Sequence, residues 1–192
     1  MANVIKIKTT EGTPIEFLDE IIGQGAMKDV YFTLDRSSVV CFFRDPQDFA
    51  AKERIQTITS MYRDKIFYQE GGDYWRNLFC WPMAMVEWNG KLGIVAPTYP
   101  KHFFFEFGSV NNDMLGIKGK EKEGKWFASA SNQNRFLDSR EKGNWLNYLR
   151  ISLLISRGVI AAAVSGIETC ILGFLACAGM GLPLCCQRLY SS

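Results

Sequence analysis

Histidine is almost missing from this chain. His102 is the only one in 192 residues, and beside Phe103-Phe104-Phe105 it reads as packing or surface more readily than as a catalytic base. The six cysteines contain no C-x-x-C pair with a matching partner, which argues against a zinc site. Net charge is only +2, so bulk charge supplies neither a nucleic-acid footprint nor an acid-rich tail. The opening residues, Met1 to Lys8, hold no apolar stretch of signal-peptide length. The expected compartment is therefore the cytoplasm, where thiols stay reduced. Cys41 and Cys80, in apolar or aromatic surroundings, fit buried free thiols.

Charge is present but unevenly spread. Beyond residue 150 only Arg157, Glu168 and Arg188 are charged, a compositional break near residue 158. The other four cysteines, Cys170, Cys177, Cys185 and Cys186, all follow that break.

The informative stretch is residues 15 to 44. Ile15, Phe17, Ile21 and Ile22 lead into Gly23-Gln24-Gly25-Ala26, and Val30-Tyr31-Phe32 leaves it. A polar Asp35-Arg36-Ser37-Ser38 turn then precedes Val39 to Phe43. Alternation and β-branched or aromatic content predict three strands. The two glycines admit two readings: a hairpin turn that needs glycine for its own geometry, or a backbone that takes positive φ and comes close to a phosphate.

Elsewhere, Val4 to Lys8 alternates apolar and basic residues and predicts a short edge strand, followed by a Glu11-Gly12-Thr13-Pro14 turn. Asp48 is placed to cap a helix over Phe49 to Phe67, with Ala51, Ile55, Ile58, Tyr62 and Ile66 on one stripe. After Gly71-Gly72, a further helical turn is expected near Tyr74 to Phe79. Trp81 to Trp88, Asn89-Gly90 and Lys91 to Ala96 predict a hairpin with a type I′ turn. Residues 108–143 read as a long polar loop, functional or disordered. Its lysines alternate with glutamates between 118 and 125, the pattern of a solvated segment rather than a nucleic-acid patch. Asn144 is placed to cap a helix bearing Leu146, Leu149, Leu153 and Ile160 on one side.

Gly23-x-Gly25-Ala26-x-Lys28-Asp29-Val30-Tyr31, followed by a strand, a helix and an Asn-Gly hairpin, resembles the amino-terminal lobe of a eukaryotic-type protein kinase. The stretch from Ile15 to Val159 is similar to one bacterial branch of that family, found beside tellurium-resistance genes. The resemblance implies an α+β fold. Residues 1–100 would form a five-stranded antiparallel sheet with one helix, 101–143 a hinge exit and polar loop, and 144–160 the first helix of a second lobe. An atypical apolar tail over 161–192 would follow. It implies ATP with Mg²⁺ as ligand and, in intact relatives, phosphorylation of protein serine or threonine. Gly23, Gly25, Ala26 and Val30 match the glycine-rich loop. Met27-Lys28 stands where the third glycine belongs, and Lys28 could offer a point charge to a phosphate. The third strand lacks the family's lysine, leaving Arg44 as the nearest cation. Glu53 is the only glutamate on the following helix. Ala96-Pro97-Thr98-Tyr99 falls where the hinge contacts adenine.

No His-Arg-Asp, Asp-Phe-Gly or Ala-Pro-Glu motif follows residue 160. The chain is thus expected to be catalytically incomplete: a nucleotide-binding fragment, or alternatively a non-catalytic interaction or membrane-tethered module. A regulatory pseudokinase with a protein partner is a third option. The tail is open to three readings: out-of-frame sequence, an apolar helix packed on the lobe, or a membrane segment within 158–187. For the last, Thr169 to Gln187 holds 19 residues without charge.

Overall fold

The computed structural model describes residues 3–25, 27–78, 80–122, 126, 129–147, 149–150, 152–153 and 156–157. They fall into two units, which divide at Thr98–Tyr99. The expected tail over 161–192, with its candidate membrane stretch 158–187, lies outside the described residues. Among the described residues no helix is long and apolar enough to cross a membrane.

The first unit is a curled antiparallel sheet of six strands, in place of the expected five. They are β1 (Val4–Lys8), β2 (Pro14–Gln24), β3 (Lys28–Thr33), β4 (Ser38–Phe43), β5 (Ala84–Trp88) and β6 (Lys91–Pro97), in the order β1-β2-β3-β4-β6-β5. The strand beyond the five that the resemblance implies is β1, the edge strand expected from the alternation over Val4–Lys8. Its alternation half-buries Ile5 and Ile7 while Lys6 meets Glu16 across the pair at 2.7 Å. Just past β1 the sheet nearly closes on itself: Thr9 bridges Val86, and the Thr10 N–H donates to the Met85 carbonyl at 2.9 Å. The outer strands thereby cover part of each other's free edge. Asn89 and Gly90 both take positive φ, as a type I′ turn requires.

One face of the sheet buries Phe17, Tyr31, Val40, Phe42, Val86 and Val95. Phe17 meets Tyr31 edge-on at 5.5 Å and Trp88 at 5.2 Å between ring centres. The other face carries Phe43, Met85 and Leu92, against which Ile55 of helix α1 (Phe49–Thr57) packs. Asp48 caps α1 as expected, accepting the Ala51 N–H at 2.6 Å. The helix does not run unbroken to Phe67. A π-helical turn over Ile58–Tyr62 separates α1 from α2 (Arg63–Phe67). The hydroxyls of Thr57, Thr59 and Ser60 donate back to carbonyls in the preceding turn, and the Trp81 indole donates to the Ile58 carbonyl at 2.9 Å. Such side-chain bonds compete with the α-helical ladder. The turn shifts the helix's phase, so Thr59 is buried alongside Ile58 and Ile66. A short helix α3 (Gly72–Leu78) follows.

The second unit includes the described residues of 108–143, read from sequence as a long polar loop, functional or disordered. It has its own small core of Phe105, Ile117 and Leu137, with Trp126 against it, and its polar side chains bond inward to backbone. Buried Glu141 accepts the Phe107 N–H at 2.6 Å and pairs with Lys122 at 2.9 Å. The Gln133 carbonyl oxygen accepts the Gly143 N–H. Asn111, Asn112 and Asp113 form a left-handed turn, within which Asp113 accepts the N–H groups of Ser109, Ile117 and Lys118 at 3.0 Å each. Helix Ala130–Phe136 begins at Ser129. Asn144 caps as expected, accepting the Asn147 N–H at 2.9 Å. Described residues between 145 and 157 are helical, with Leu146, Leu149 and Leu153 exposed.

Two predictions follow from this packing. Gly93 faces Phe42 and Val86 across its two neighbours, and a methyl placed on it would come within 2.6 Å of the Phe42 ring. Gly93→Ala should cost about 1–3 kcal/mol in urea unfolding. Phe42→Leu should cost less in that background than alone; an unchanged midpoint for Gly93→Ala would show that the ring does not occupy this space. In the second unit, burial pushes the Asp113 carboxyl up, but the backbone donors of Ser109, Lys118 and Ile117 outweigh it and hold it at about 2. A depressed carboxylate stabilises above its unfolded value of roughly 4 and loses that contribution as pH falls through its folded value. Amide resonances of Ile117 and Lys118 should titrate with a midpoint near 2 in wild type and not in Asp113→Asn; a midpoint near 4 would remove the carboxylate from this role.

Candidate functional site

The site is built where β2 turns into β3. Irregular pairing along β2, between Phe17 and Ile21 and again before Gly23, sets Gly23 opposite Val30 and Gln24 opposite Asp29. The Gly25 N–H then donates to the Lys28 carbonyl at 3.0 Å, closing the turn. Ala26 lies outside the described residues.

Neither glycine serves the turn by unusual backbone geometry. Both Gly23 and Gly25 are absent from the left-handed region that Gly12, Gly71 and Gly90 occupy. A Cβ on Gly23 would come no nearer than 4.0 Å to Val30, and one on Gly25 no nearer than 3.9 Å to the Lys28 carbonyl. The positive φ anticipated for the pair is therefore corrected, and so is the idea that the hairpin needs glycine. What the two glycines provide is bare backbone at positions where a Cβ would make only ordinary van der Waals contact.

Arg44, just past β4, fastens the turn from the side. Its N–H donates to the Met27 carbonyl at 3.0 Å, and its guanidinium donates to the Gly25 carbonyl. The same guanidinium lies 3.8 Å from Asp29, whose carboxylate also accepts from Gln24 at 3.3 Å. Arg44 is thus occupied with loop atoms. Gln24 and Asp29 were not singled out from sequence; the strand register alone brings them together.

Lys28, Val30, Cys41 and Phe43 lie on one face, since Lys28 pairs with Phe43 and Val30 with Cys41. Lys28 is only 5% exposed, and its Nζ sits 4.5 Å from the centre of the Phe43 ring. Burial pushes the Cys41 thiol up to about 11, against the opposing pull of the Lys28 charge, so it stays protonated and unreactive at neutral pH. Further along the same face Val39 pairs with Ala96, which is buried. Val39 and Phe43 are four residues apart, so this face extends about 13 Å from Ala96 to Lys28. Thr98 is tied elsewhere: its N–H donates to the Ser37 carbonyl and its hydroxyl to the Arg36 carbonyl, both at 3.0 Å. It anchors the β3–β4 turn at the far end from Lys28.

Glu53 is exposed on α1, while its neighbour Lys52 bonds Glu87 of β5. Among the described residues no three His, Cys, Asp or Glu side chains converge as metal ligands. Asp29, the acidic residue closest to the turn, is engaged by Gln24 and Arg44. The described residues therefore do not fit a protein-held magnesium site, and no chemical step is derived through that ion.

Arg44→Met should speed hydrogen exchange at the Gly25 amide several-fold while lowering global stability by less than about 1 kcal/mol, since the guanidinium is part-exposed. Unchanged exchange at Gly25 would show that the clamp does not hold the turn. Compared with known protein families, characterised proteins and solved structures, the chain matches none.

Proposed function

We propose that the sheet unit binds ATP on the face carrying Gly23, Val30, Cys41 and Ala96, in the manner of the amino-terminal lobe of a Ser/Thr-type protein kinase. The observation that carries the reading is the surplus of glycine at the β2–β3 turn. Gly23 and Gly25 are required by neither backbone dihedrals nor internal contacts, which leaves close approach by a ligand as the physical use of their bare backbone. The order of parts supports it: a glycine turn between two strands, a third strand, a helix against the same face as Phe43, then the β5–β6 hairpin.

The proposal stops at binding. The sequence holds no His-Arg-Asp, Asp-Phe-Gly or Ala-Pro-Glu motif to supply a base or hold metal for phosphoryl transfer.

Millimolar ATP should raise the melting temperature of the full chain, as any ligand that binds only the folded state must. Gly25→Val should leave the free protein within about 2 °C of wild type, because its Cβ would meet the Lys28 carbonyl only at an ordinary van der Waals distance of 3.9 Å. The same substitution should abolish the ATP-induced rise. Absence of a rise in wild type, or a full rise in Gly25→Val, would overturn the reading.

A further inference from the structure

We infer that the helical stretch from 145 to 157 is a membrane-surface contact: its outward apolar stripe, edged by Arg150, lies in the plane of an anionic lipid bilayer without crossing it. The inference stands apart from the nucleotide-binding reading and draws on the second unit alone.

Asn144 caps this stretch by accepting the Asn147 N–H at 2.9 Å, so Trp145 stands in its first turn. Trp145, Leu149 and Leu153 recur every four residues, and Leu146 comes three before Leu149. At about 100° per residue the four share an arc of about 100°. That is the width with which a globular helix ordinarily faces a core. Here it faces outward: Trp145 is 73% exposed, and Leu146, Leu149 and Leu153 are 43%, 48% and 51% exposed. Single exposed apolar residues need no explanation, but four on one contiguous stripe mark a contact surface.

Charge decides the kind of contact. Every charged residue from 142 to 157 is cationic. Arg150 is exposed and lies about 40° beyond Leu146, on the edge of the arc. Lys142 is exposed just before the helical stretch. The nearest preceding carboxylate, Glu141, is buried and held by Lys122 and the Phe107 N–H. An apolar stripe edged by a cation, with no carboxylate along it, complements acyl chains beneath anionic headgroups. Tryptophan at one end of the stripe suits the headgroup boundary, where its ring is part apolar and part wet.

A second copy of the chain fits this face less well. It would bring another cationic edge to the first, with no carboxylate on either helix to answer it. Four half-exposed side chains also offer only on the order of half of the ~800 Å² that each partner gives to a standard interface. A helix over these positions runs about 20 Å, short of the ~30 Å hydrocarbon core, so it lies on the bilayer.

The test is co-sedimentation of the full chain with vesicles of phosphatidylcholine alone, and with vesicles of phosphatidylcholine and phosphatidylserine in equal parts. Wild type should bind the mixed vesicles about tenfold more tightly than the neutral ones and lose most of that preference in high salt. Leu149→Glu/Leu153→Glu should weaken binding to the mixed vesicles by about a hundredfold. Arg150→Gln should weaken it about fivefold and leave neutral vesicles unaffected, which keeps the test decisive should the double variant fail to fold. No binding of wild type to the mixed vesicles, or equal binding to both kinds, would overturn the inference. Undiminished binding by a folded Leu149→Glu/Leu153→Glu would place the lipid contact elsewhere in the chain and overturn it too. A wild-type dimer that ignores vesicles and dissociates in the double variant would give the stripe to a second copy, and the lipid assignment would fall.

Discussion

The register between β3 and β4 is the constraint on which the sheet unit depends. With Lys28 opposite Phe43 and Tyr31 opposite Val40, the strands sort their side chains onto opposite faces. Tyr31, Val40 and Phe42 enter the aromatic interior, where Phe42 lies 5.6 Å from Phe17 and 5.4 Å from Trp88. Lys28, Val30, Cys41 and Phe43 go to the other face. A slip of one residue in β3 would bring Lys28 to the interior among aromatics and carry Tyr31 out of it. The Thr33–Ser38 turn holds the correct pairing from one end: the Thr33 hydroxyl donates to Asp35 and to the Ser38 carbonyl, and Arg36 takes the positive φ that the reversal needs. Thr98 ties that turn to the end of β6. Arg44 holds the other end by fastening Met27 and Gly25. The candidate site is thus a by-product of a register that the hydrophobic interior enforces.

Much of this unit is written locally in the chain. Asn89-Gly90 encodes its hairpin, Asp48 its helix cap and Val4–Lys8 its alternation, because each depends on residues a few positions apart. The π-turn was not legible. It depends on three hydroxyls and the Trp81 indole acting on one stretch of helix, and the apolar stripe from Ala51 to Ile66 is compatible with an unbroken helix. The pairing of Lys28 with Phe43 was likewise hidden, since neither residue is unusual until the strands are aligned. The glycines were half legible. Their spacing left positive φ and bare backbone both open, and the structure removes the first.

The second unit shows why a polar composition misleads. Its segment from 108 to 143 lacks the periodicity that marks packed elements, and charge balance between 118 and 125 suggests solvation. Order there comes from carboxylates and amides that satisfy backbone groups. Asp113 gathers three N–H groups, Glu141 takes Phe107, and Gln133 takes Gly143. Such bonds are pairwise and irregular in spacing, so they leave no periodic trace. They suit a segment with only a few apolar side chains to bury, because each buried backbone group left without a partner would cost about 1–3 kcal/mol.

Lys28 and Arg44, the two cations near the glycine turn, are placed differently. Arg44 has a planar fork of donors, which fits several fixed acceptors at once, and it is used to join a carbonyl and a carboxylate across the loop. Lys28 has a compact ammonium on a flexible stem, which tolerates the aromatic platform of Phe43. Exchanging the two would fail for physical reasons on both sides. A lysine at 44 has no planar fork with which to join the Gly25 carbonyl and Asp29. An arginine at 28 would bring a larger, planar group into a position that is already 95% buried. The placement of the two cations therefore follows from their shapes as much as from their charge. It also accounts for the absence of a lysine from β4: with Phe43 filling the space beneath Lys28 and packing beside Met85 and Leu92, a second ammonium there would face the first across a single strand pair.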